Sequence, residues 1–227
     1  MTYLTTGQLE GLSTTQWGLL STDQVVALTT SQVANLNTVN LGSLGTSQLA
    51  ALTTTQVVAL TTAEMNSLTT TAATTLTTSQ VAVLTTSELN ALGTTNISSL
   101  TTTQVVALTT AQVAALTTAQ VVALTTDQVS NMKTAQVAAL TTKQVAAMET
   151  DDLQSLSTAQ TIALTTEQVA SLTTDQVVAL TTDQISKIVL ADLQKMSTDQ
   201  IVALTTDQVS NLTTDQVAAL NAGTQIK

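Results

Sequence analysis

The chain is predicted to be an all-α solenoid: 28 octapeptide repeats, one short helix per octad, wound three octads to a coil as a triangular prism. Three observations lead there. The first is an unbroken eight-residue period from Leu4 to Leu220, in which 24 of the 28 leading positions are Leu and the rest are Met132, Met148, Ile188 and Met196. A short, strict period is the mark of one small unit stacked into an array. The second is that eight residues do not close on a helical face. At ~100° per residue the Leu column drifts by ~80° per repeat, so a continuous helix would carry no apolar stripe. The third is a second apolar column at octad position 6, filled in 26 octads by residues such as Val25, Val57, Ile97 and Leu193. Position 6 and the next leading Leu lie three apart, on one helical face.

Within the unit, read as L-T-T-x-Q-V-x-A in Leu172–Ala179, each position has a role. Position 3 is Thr in 26 of 28 octads and is read as the helix N-cap, its hydroxyl accepting from an orphan backbone N–H. Position 2 admits Gly45, Gly93, Asn37, Asn221, Ser13, Lys133 and Glu149 and is read as the corner, since Gly and Asn tolerate the left-handed backbone that ends helices. The rival frame makes position 2 the cap and the Gln at position 5 its capping-box partner. Position 4 carries Asp23, Asp127, Asp151, Asp175, Asp183, Asp199, Asp207 and Asp215, acids that complement the dipole of a first helical turn. The helix then runs from position 4 to the next Leu. Such helices are too short to persist alone, so stacking must hold them. In Gln160-Thr161-Ile162 the branched apolar residue has moved one place, and a local distortion is expected there.

The near-constant Gln at position 5 is read as an amide bonding backbone groups at the corner of a neighbouring coil, because short helices leave many orphan N–H and C=O groups. In the middle of the array the structural residues are then Leu100, Thr102, Gln104 and Val105; Leu108, Thr110, Gln112 and Val113; and Leu116, Thr118, Gln120 and Val121. On this reading Gln120→Leu lowers the melting temperature. Three octads per coil are favoured over two because a helix of about six residues is ~9 Å long, close to helix-packing distance, giving about nine layers and roughly 80 Å. A β-solenoid is the alternative fold: Thr and Val favour strands, but the chain has only seven Gly for its corners and the apolar positions do not alternate.

Residues 1–227 are expected to form one solenoid, with regular octads over 4–219, a cap region over 1–19 and a degenerate octad over 220–227. Trp17 at position 6 and Tyr3, the only aromatic residues, are assigned to the N-terminal cap. The tail from Ala222 to Gln225 loses the pattern and is expected to fray.

Composition narrows function. Pro, Cys, His and Arg are absent and there are five Lys, which removes disulfides, the commonest general base and the usual phosphate clamp. A net charge of -10 disfavours nucleic acid and anionic membranes. Mean hydropathy is +0.30, yet apolar runs reach only about four residues, where a membrane helix needs ~20. Met1-Thr2-Tyr3-Leu4 has neither a charged region nor an apolar core, so no signal peptide is expected. Catalytic residues, cofactors and a small-molecule substrate are not expected either.

Tandem L-T-T-x-Q-V-x-A-L units over residues 4–220 resemble the octapeptide arrays of large exported, adhesin-like proteins of Gram-negative bacteria, and short-repeat α-solenoids of triangular, Toblerone-like section. The resemblance implies a non-enzymatic, acidic scaffold: a rigid spacer or surface-interaction module, extracellular or at the cell surface, with a protein partner or self-association. Two other functions are weighed. Regular Thr rows would suit ice binding if the position 2 hydroxyls are free. The acids Asp127, Asp151, Asp175 and Asp199, spaced by 24, are the weak candidates for a divalent cation, against the reading as solvated helix-start acids.

Overall fold

The computed structural model describes residue 1 and residues 3–225, with side chains through Asn221 outside Thr2. Among the described residues there are 27 short α-helices and no strand, from α1 (Thr6–Glu10) to α27 (Thr214–Gln225). The β-solenoid is thereby ruled out. Two compact units, Met1–Leu116 and Thr117–Lys227, divide the chain.

Each unit is built from three files of helices. In the first, α4 (Thr30–Ala34) packs on α7 (Thr54–Val57), α7 on α10 (Thr78–Val83), and α10 on α13 (Thr102–Ala107), while α3 (Thr22–Val26), α6 (Thr46–Ala51) and α9 (Thr70–Thr75) form a second file. In the second unit α16 (Thr126–Ser130), α19 (Thr150–Ser155), α22 (Thr174–Ala179) and α25 (Thr198–Ala203) stack in the same way. Partners are always three helices apart, so one coil takes three octads.

The corner lies one residue earlier than the favoured frame places it. Leu108 closes the preceding helix through a 3.1 Å bond from its N–H to the Val105 carbonyl, then turns the chain with φ -58 and ψ 138. Thr109 follows with φ -73 and ψ 160 and is the N-cap. Position 2 is therefore the cap and position 3 is the first helical residue, which corrects the assignment of Thr102, Thr110 and Thr118. The rival capping-box frame is the one the molecule uses. Two extended residues in succession redirect the chain, so no left-handed residue is needed. The exception among the described residues is Gly93, with φ +72.

Neither Lys133 nor Glu149, at position 2, caps its helix with its side chain. At Lys133 the cap survives because the other half of the box suffices: Lys133 N–H donates to Gln136 Oε1 at 2.8 Å. Gly45 is held in the same way by Gln48 Oε1 at 2.6 Å.

Positions 1 and 6 make the core. Leu100, Val105, Leu108, Val113 and Leu116 are all buried. Each such Leu or Val contributes about 1.5–3 kcal/mol of transfer free energy, which no isolated helix of five or six residues could gather.

Two further expectations are corrected. Tyr3 is 98 % exposed and caps nothing, whereas Trp17 is fully buried. Thr161 causes no distortion: it is buried in the position 6 slot, Ile162 faces out, and α20 (Thr158–Ile162) keeps its capping box. Thr has the shape of Val, and its hydroxyl donates to the Ser157 carbonyl at 3.0 Å. The backbone of α27 runs on through the degenerate octad to Gln225. The side chains of 222–225 and residues 226–227 lie outside the described residues.

Candidate functional site

The one polar feature repeated throughout the interior is the position 5 side chain. In a full octad it sits at the third helical position, N3, and makes two sets of bonds. Gln56 Oε1 accepts from the Thr53 backbone N–H at 2.8 Å, while Gln56 N–H donates to Thr53 Oγ1 at 3.2 Å, completing a capping box. Gln56 Nε2 donates to the carbonyls of Val25 at 3.0 Å and Leu28 at 2.8 Å, at the corner ending α3 in the coil below. The carbonyl partners lie 31 and 28 residues back, one coil of 24 plus the reach to the end of a helix.

The same pair recurs across the array. Gln104 reaches Ala73 and Leu76 at 2.9 and 2.6 Å, and Gln112 reaches Val81 and Leu84 at 3.0 and 2.7 Å. In the second unit Gln176 reaches Val145 and Met148, both at 2.8 Å. Gln120 accepts from Thr117 N–H at 3.1 Å and is buried. Gln56, Gln104, Gln112 and Gln176 thus satisfy a cap donor in their own octad and end-of-helix acceptors in another, the groups that short helices otherwise strand. Gln8, Gln16 and Gln24, in the first coil, keep the cap bond at 2.8 Å and are exposed.

Departures from Gln mark where the pattern fails. Asn40 is one methylene shorter and its buried Nδ2 has no partner. Asn96 reaches the Leu68 carbonyl at 2.8 Å, and its helix α12 (Gly93–Ser99) departs from the frame: Leu92 is the N-cap and Gly93, at octad position 2, opens the helix with φ +72. Glu64 has the length of Gln but no donor when ionised. Its Oε2 accepts from Thr61 N–H at 2.6 Å and Thr61 Oγ1 at 2.8 Å, while Oε1 is buried without a partner. Burial raises the Glu64 pKa above the ordinary value of 4.5, and the Thr61 bonds oppose that rise. Asp152 is pushed up to about 6, first by burial, then by Glu149 and Asp151. Trp17 Nε1 is likewise buried without a partner. At Glu64 the missing donor is the signal that the sequence offers for the break.

The four aspartates 24 residues apart stand at the second position of α16, α19, α22 and α25, all exposed, with Asp152 next to Asp151 in α19. Among the described residues no group of three or more His, Cys, Asp or Glu is arranged to hold a metal ion. No helix among them is long and apolar enough to cross a membrane.

The family model described as the ALTTAQ repeat matches residues 2–30, 30–62, 81–118, 114–142, 145–182 and 185–222. The chain belongs to the ALTTAQ repeat family. Those six letters stand in Ala115–Gln120 and span the corner: helix end, core Leu, N-cap, and the first three helical positions ending in the ladder amide. Between its second and third segments the ALTTAQ match passes over residues 63–80, which hold both Glu64 and Ala72, the two sharpest departures at position 5. No match among curated proteins is found for this chain.

Proposed function

We propose that this ALTTAQ array is a structural part without catalytic chemistry: a stiff spacer or surface-interaction module within a larger exported protein. The observation that carries the reading is the glutamine ladder. The near-constant polar side chain of the repeat is spent on holding one coil to the next, as expected where rigidity is the selected property. The adhesin-like context and the cell-surface location rest on the resemblance of the octad to exported arrays. Partner contacts are assigned to positions 7 and 4; position 7 is variable and leaves Val58, Val122 and Val178 partly exposed. Ice binding through position 2 is disfavoured, because those hydroxyls accept from N3 amides, as Thr109 does from Gln112 at 3.2 Å.

Small-angle scattering on variants lengthened by whole coils tests the spacer reading. The maximum dimension should grow in equal steps with each added coil. A dimension independent of octad number, or one growing as a flexible chain does, would refute it. Protease or antibody access on intact producing cells tests the surface location; complete protection would remove it.

A further inference from the structure

We propose that the slot above Leu44 and beside Ala72 is a binding site for a small primary carboxamide. The octad beginning at Leu68 has Ala72 at position 5, the one octad among those with described side chains whose position 5 residue carries no polar atom. Helix α9 packs on α6, so the corner that a Gln at 72 would reach runs from Leu41 to Leu44. A cavity of about 160 Å³ lies there, lined by Leu41, Leu44, Leu49, Leu68, Thr69 and Ala72 among others.

The polar groups around that cavity are those that surround a ladder amide elsewhere. In the next octad, Gln80 Oε1 accepts from Thr77 N–H at 2.7 Å and its Nε2 donates to Leu49 and Leu52 carbonyls at 2.9 and 2.7 Å. At Ala72 the corresponding groups are the Thr69 N–H and the Leu41 and Leu44 carbonyls. The Leu41 carbonyl accepts from Leu44 N–H at 3.1 Å, as the Val25 carbonyl below Gln56 accepts from Leu28 N–H at 3.1 Å, and keeps its second lone pair for a ligand. Thr69 Oγ1 still caps Ala72 N–H at 3.2 Å, so the helix start is intact. Ala72 is half-exposed where Gln80 is buried, which opens the cavity to solvent.

The missing piece defines the ligand. Beyond Cβ, Gln carries CH2–CO–NH2, the atoms of acetamide. A primary amide offers one acceptor to the Thr69 N–H and two donors to the carbonyls, with its alkyl group against Leu49 and Leu68. A carboxylate would set an oxygen against the carbonyls and has no donor for them, as buried Glu64 Oε1 has no partner. A tertiary amide has no donor. The site belongs to the repeat's bonding scheme and stands whether or not the spacer reading does.

Titration of the intact protein with acetamide, followed by amide NMR, tests the assignment. The Thr69 N–H resonance should shift saturably, with a midpoint in the millimolar range or weaker for so small a ligand. N,N-dimethylacetamide and acetate should leave it unmoved. Ala72→Gln should abolish the shift and raise the melting temperature, and Ala72→Met should block the shift by filling the cavity. A response to acetamide that fails to saturate, that dimethylacetamide reproduces, or that persists in Ala72→Gln overturns the proposal.

Discussion

A single methylene or a single proton decides whether an octad joins its neighbour. Gln has the reach and both signs of hydrogen-bonding atom; the shorter Asn meets one carbonyl at Asn96 and none at Asn40, and ionised Glu lacks the donor. Glu64 is the clearest case, because only its protonated form can donate from Oε1 to the corner below. Its raised pKa means the folded chain holds the proton to higher pH than the unfolded chain. Its contribution to stability is therefore complete below about 4.5 and is lost as pH rises through the raised value. Asp152 acts in the same sense, its contribution declining between 3.8 and about 6. Denaturant unfolding across pH 3.5–8 should show stability falling over this range. Glu64→Gln should flatten part of that fall and add about 1–3 kcal/mol at pH 8, since it removes an unsatisfied buried acceptor and supplies the donor. A variant no more stable than the parent at pH 8 would mean that Oε1 is solvated.

At the level of the helix, period and composition made much legible. One helix per octad, the buried columns at positions 1 and 6, and a position 5 amide tied to another coil all followed from the spacing of Leu, Val and Gln. The cap frame did not. Position 2 tolerates Lys133 and Glu149, whose side chains cap nothing, so a search for side-chain acceptors passes it over. At Lys133 the Gln three residues on holds the cap N–H by itself, so the capping residue is free to vary. Thr161 was misread because shape and polarity were not separated: a Thr can occupy a Val slot when its hydroxyl bonds back to the preceding turn. The corrected frame makes a paired prediction. Thr109→Ala should cost about 1 kcal/mol through loss of the cap to Gln112. Thr110→Ala, at the exposed first helical position, should stay within about 0.5 kcal/mol. Equal effects in thermal melts would return the cap to position 3.

For the molecule as a whole, three octads per coil could not be read from repeat offsets of 48, which two and three octads per coil fit equally well; helix length against packing distance favoured three. The Ala72 cavity was illegible because a missing side chain matters only once the groups it would have met are placed. Because each coil is bonded through the ladder, the register must survive in whole octads. Deleting Thr77–Leu84, eight residues, should leave helical circular dichroism and a sharp melt. Deleting Thr77–Gln80, four residues, sets polar positions against the core and should abolish the cooperative transition. A four-residue deletion as well tolerated as an eight-residue one would contradict octad-by-octad stacking.

The central claim is that position 5 amides stitch coils together by donating across them. Chemical denaturation of Gln176→Glu and Gln8→Glu at pH 8 tests it most directly. Both variants keep an oxygen for the cap N–H, at Thr173 and Thr5, which now stand 2.9 and 2.8 Å from the Gln oxygens. Only Gln176→Glu removes donors to another coil, at Val145 and Met148, and places a charge against their carbonyls. The account predicts a loss of about 2–4 kcal/mol for Gln176→Glu and a change within about 0.5 kcal/mol for Gln8→Glu. Equal changes in the two variants would contradict it.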